Sequence, residues 1–113
     1  MCYSVKLEDS VVVIKSPAGL EIFFWWFSCL TNDELLRWHN MFLTVAKGLR
    51  KKMSVSIIHD KYAIVYQPAS DLLKLQSYLG RNTELHEFAI DDTECLAQIF
   101  DKVAEWCTTK PWR

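Results

Sequence analysis

The stretch Glu21-Ile22-Phe23-Phe24-Trp25-Trp26-Phe27-Ser28 runs on through Cys29-Leu30-Thr31-Asn32-Asp33-Glu34-Leu35, and the change of pattern within it decides the fold class. Its first half is apolar and aromatic and reads as a strand. In the second half Thr31 and Glu34 stand at capping-box spacing, each able to satisfy a backbone amide where a helix begins. Leu35, Trp38, Phe42, Val45 and Leu49 then recur every three or four residues as one apolar stripe. Arg50, Lys51 and Lys52 close the helix, where positive charge favours the negative end of the helix dipole.

Upstream, Tyr3, Val5 and Leu7 alternate with Ser4, Lys6 and Glu8, a half-buried strand over residues 3–8. Asp9-Ser10 turns into a second strand, Val11–Lys15, and Ser16-Pro17-Ala18-Gly19 turns into the third. The opening is an antiparallel meander. Downstream, Val55–Ile58 and Tyr62–Gln67 form a hairpin around His59-Asp60-Lys61, and Pro68 stops it. Ser70 caps a short helix through Leu79 with Gly80 as its stop, and Leu85–Ile90 is a sixth strand. Asp91 or Asp92 caps a last helix with the stripe Leu96, Ile99, Phe100, Val103 and Cys107. The expected order is β-β-β-α-β-β-α-β-α: an α+β domain spanning 1–113, with a mainly antiparallel six-stranded sheet and three helices packed on it.

The 113 residues suffice for one such domain with its own core. Five Trp, six Phe and four Tyr supply ample apolar area, which argues against disorder. The first twenty residues lack a basic start and hold only the short run Val11–Ile14, and the run Ile22–Phe27 falls far short of the roughly 20 residues that span a bilayer. We therefore expect a cytoplasmic protein with no membrane partner, whose thiols stay reduced. Cys2, Cys29, Cys95 and Cys107 form no C-x-x-C pair and read as small buried hydrophobes. Cys95 and Cys107 lie twelve residues apart on one helix, about 18 Å along its axis, too far to bridge.

Two features go beyond folding. The strand from Ile22 to Phe27 is apolar on both faces, which leaves Trp25 or Trp26 to be covered by the C-terminal tail with Trp112, by a second copy, or by a partner. The other is charge. From Arg37 to Arg81 eight basic residues face two acidic ones, whereas Glu84, Glu87, Asp91, Asp92, Glu94, Asp101 and Glu105 stand against Lys102 alone, although the net charge is only −1. Solvated helix faces explain both blocks; so does an acidic surface that steers a basic partner. Nucleic acid is disfavoured, since the basic segment lacks interleaved aromatics and an acidic neighbour repels phosphates.

Catalytic signals are thin. His39 borders the helix stripe, His59-Asp60 is turn chemistry, and His86 reads as a hydrogen-bonded strand histidine. No G-x-G-x-x-G, P-loop, H-E-x-x-H or G-x-S-x-G occurs, and no cofactor or metal is expected. The reading is a protein-binding module of the immunity or antitoxin inhibitor kind that covers a basic partner, with enzymatic activity left open. Its candidate contacts are Glu84, Glu87, Asp91, Asp92, Glu94, Asp101, Glu105, Trp25 and Trp26. Two alternatives stand beside it: a small-ligand domain or small enzyme with an aromatic pocket, and a homodimer packed through the aromatic strand.

Overall fold

The computed structural model describes the backbone at residues 2–27, 30–59, 62–79, 82–90 and 92–112, and side chains there except at 22–26, 59, 62, 77–79, 82–86 and 88. Ser28, Cys29, Asp60, Lys61, Gly80 and Asp91 lie outside the described residues. The chain runs β1 (Ser4–Glu8), β2 (Val11–Lys15), β3 (Glu21–Trp26), α1 (Asn32–Lys51), β4 (Val55–His59), β5 (Tyr62–Gln67), β6 (Leu72–Leu79), β7 (Asn82–Ala89) and α2 (Thr93–Thr109).

The strands form two antiparallel meanders, β1-β2-β3 and β4-β5-β6-β7, rather than one six-stranded sheet. Among the described residues there are two α-helices, not three. The difference is residues 71–79. Leu, Lys and Gln there favour helix intrinsically, but Leu73 and Leu75 are buried while Lys74 and Gln76 are half-exposed, a two-residue period. β6 pairs with β5 on one side and β7 on the other, so packing overrides propensity. The Ser70 cap is absent. Pro68–Ser70 makes one 3-10 turn, and Asp71 at φ 46° reverses the chain into β6. Every ladder among the described residues is antiparallel, so no parallel pair forms across a helix among them.

α1 is built as its spacing predicts. Thr31 Oγ1 accepts from the Glu34 amide at 3.2 Å and Glu34 Oε1 accepts from the Thr31 amide at 3.3 Å. Leu35, Trp38, Phe42, Val45 and Leu49 are all buried, and Lys52 ends the helix in the left-handed region at φ 54°. In α2, Asp92 is the N-cap, its Oδ1 accepting from the Cys95 amide at 3.0 Å. The helices pack along each other: Phe42 lies 5.9 Å from Phe100, ring centre to ring centre, and 5.5 Å from Trp38. One hydrophobic cluster draws on β2, both helices and the second sheet.

The second sheet has one packed face. Its register aligns Val55 with Tyr66, Ile64 with Leu75 and Tyr66 with Leu73, all buried, whereas Lys74 and Glu87 oppose each other on the wet side. β2 differs. Val12, Val13 and Ile14 are consecutive and all buried, so both faces of the first sheet are covered at its centre. Lys6 opposes Val13 and pairs with Glu8, and such stems shield apolar neighbours while their heads stay wet.

Candidate docking face

α2 exposes Glu94, Gln98 and Glu105, with half-exposed Asp101 in phase between them. The spacing of four, three and four residues puts these side chains in one solvent-facing row, about 16 Å long at 1.5 Å per residue. Arg50, from the basic end of α1, reaches into this row. Its Nε donates to Glu94 Oε2 at 3.1 Å and a terminal nitrogen bonds Asp101 Oδ2 at 2.6 Å. The bond to Asp101 is the first cause of the raised Arg50 pKa, with burial opposing it and Glu94 adding to it. Gln98 lies 3.5 Å from Glu94, and the Glu105 carboxylate has no partner among the described residues.

The two opposed charge blocks thus meet through Arg50 at the surface. Within the basic segment itself, Lys52 Nζ bonds Asp71 Oδ1 at 3.0 Å, and Tyr66 donates its hydroxyl to the same oxygen at 3.3 Å. Burial, reinforced by Asp71, raises the Tyr66 pKa. Lys74 faces Glu87 at 3.9 Å. Exposed pairs of this kind are worth about 0–1 kcal/mol each, so they trim the surface field more than they stabilise the fold.

The remaining expected contacts separate from this row. Glu87 is exposed on β7, and Asp92 is committed to capping. The register pairs Glu84 with Ser77, Trp25 with Val12 and Trp26 with Val11, but the side chains of Glu84, Trp25 and Trp26, and Asp91 entirely, lie outside the described residues. At the end of the aromatic segment Trp112 stacks on Phe27 with ring centres 4.2 Å apart, leaving Phe27 1% exposed. Lys110 Nζ bonds Asn32 Oδ1 at 2.9 Å and ties the tail to the start of α1. The C-terminal tail therefore covers that end of the segment.

His39 Nδ1 lies 2.7 Å from the Ala104 carbonyl of α2. A carbonyl only accepts, so Nδ1 carries the proton and the ring works as a helix-to-helix bond. His59 and His86 side chains lie outside the described residues; the register sets His86 opposite buried Leu75. Among the described residues no three His, Cys, Asp or Glu groups converge as a metal site, and no helix is long and apolar enough to cross a membrane.

The cysteines correct the expectation of four independent thiols. Cys2 and Cys95 are joined as a disulfide, their Cα atoms 5.9 Å apart. Cys107 is free and 1% exposed, and burial pushes its thiol up from 9.0 to about 12. An acid whose folded pKa exceeds its unfolded one holds its proton longer when folded, so its contribution is intact below pH 9 and is lost as pH climbs from there towards about 12. Cys107 is accordingly expected to resist iodoacetamide in the folded protein at pH 8 and to react once denaturant is added; rapid alkylation of the native chain at Cys107 would contradict its burial.

Sequence reading passed over five exposed apolar residues: Leu20, Leu36, Leu43, Met53 and Ile58. Leu36 and Leu43 could have been found, since they fall off the α1 stripe, but singly exposed apolar residues are ordinary on soluble proteins. No family model, curated protein or solved structure matches the chain.

Proposed function

We propose that this chain is a cytoplasmic protein-binding module, an inhibitor of the immunity kind, that lays the outer face of α2 over a basic site on a partner protein. The observation that carries the reading is the row Glu94, Gln98, Asp101 and Glu105 on one exposed helical face. Three carboxylates, Glu94, Asp101 and Glu105, stand there against Arg50 alone, so the row stays acidic after its internal pairs are counted. A rigid helix presents such a row without ordering cost, and its field speeds encounter with a basic surface. Covering a site needs shape and charge rather than catalytic groups.

Capture from the native host tests it. Gln98→Lys with Glu105→Lys reverses the row while leaving Arg50 and its two carboxylates in place. A basic protein should be retained by the native chain and at least about tenfold less by the double variant, with circular dichroism showing both folded. Equal retention by the two, or a captured partner that is acidic, would remove the acidic row from the account.

A further inference from the structure

Independently of the docking face, we propose that Cys2 and Cys95 form an exchangeable clasp, a thiol–disulfide site that fastens the N-terminal strand to α2 when oxidised and releases it when reduced. The two residues are 93 apart in sequence, yet their Cα atoms sit 5.9 Å apart, near the commonest separation for bridged cysteines. That proximity has a second support that does not depend on the bond. Tyr3 is buried, its hydroxyl donates to the Ala89 carbonyl at 3.4 Å, and its own carbonyl lies 4.0 Å from Cys95 Sγ. Tyr3 thus holds the chain end against the second sheet and the start of α2, so reduced thiols remain neighbours and reclosure is intramolecular.

The two sulfurs differ in access. Cys2 is exposed, whereas Cys95 is 6% exposed beneath it. A small-molecule disulfide of the glutathione class therefore meets Cys2 first. The Cys2 thiolate attacks one glutathione sulfur and expels a glutathione thiolate; Cys95, having given up its proton to water, attacks the Cys2 sulfur of the mixed disulfide and expels the second. The protein loses two electrons and two protons, and one oxidised glutathione becomes two reduced molecules. Reduction runs the same steps backwards, entering at exposed Cys2. Cys107 takes no part, being buried and held protonated.

In the cytoplasm the clasp stands open and closes when the thiol pool is oxidised; in an oxidising compartment it stays shut. The loop it closes spans most of the chain, so closure restricts the unfolded state strongly.

The test equilibrates the reduced full-length protein with glutathione mixtures of rising oxidised fraction, quenches by alkylation, and reads peptide masses and Tm. The expected product is a Cys2–Cys95 linked peptide pair, with Tm about 10 °C or more above the reduced protein. Cys2→Ser should melt where the reduced native chain melts and show no shift on oxidation. Glutathione left on Cys2 without closure, a bridge to another cysteine, or equal Tm in both states would each overturn the proposal.

Discussion

Replacing Phe42 with Ala should remove about 3–5 kcal/mol of stability, a large share of what a domain of this size has to lose. Phe42 is 0% exposed and sits where α1 meets α2, with Trp38 on its own helix and Phe100 on the other. Removing the ring takes away its transfer energy and leaves a hole that two stiff helices close poorly. Urea unfolding monitored by circular dichroism measures it. A loss under about 1 kcal/mol would mean that the helices are not packed through this ring.

Gly48→Ala should cost about 1–2 kcal/mol even though Ala is the better helix former. A methyl group at Gly48 would run into Val55 Cγ2, a stiff β-branched side chain on β4, and would stand 3.1 Å from the Met53 carbonyl oxygen. The propensity gain of about 1 kcal/mol is smaller than the overpacking penalty, which sets the sign. In a Val55→Ala background the same change should become neutral or favourable. If Gly48→Ala stabilises the native chain, the close approach of α1 to β4 is wrong.

How much of this was legible follows from the range of each signal. α1 is written locally: Thr31 and Glu34 set its start and five residues at helical spacing set its buried face. The first meander and the β4–β5 hairpin are local as well, because adjacent segments pair across short turns. β6 was misread because Leu72-Leu73-Lys74-Leu75-Gln76 suits a helix by composition, and only its two neighbouring strands make it extended. The division into two sheets depends on which strands meet after α1, a long-range choice without a sequence period. The Cys2–Cys95 contact has the same character, its members standing 93 positions apart in sequence.

The docking face was half legible. Counting charges along the chain found the acids but pooled residues with different duties: Asp92 caps, Glu87 faces Lys74 across a ladder, and Glu94 and Asp101 hold Arg50. Helical phase would have singled out Glu94, Gln98, Asp101 and Glu105, since they share a face by spacing alone. That Arg50 lies among them is tertiary information.

The most direct test of the acidic row is the association rate of the native chain with its captured partner as salt rises from about 50 to about 500 mM. Encounter steered by the α2 carboxylates predicts a rate that falls at least about tenfold over that range, while dissociation changes little. A rate that stays flat across it would contradict the claim that this face finds its partner through charge.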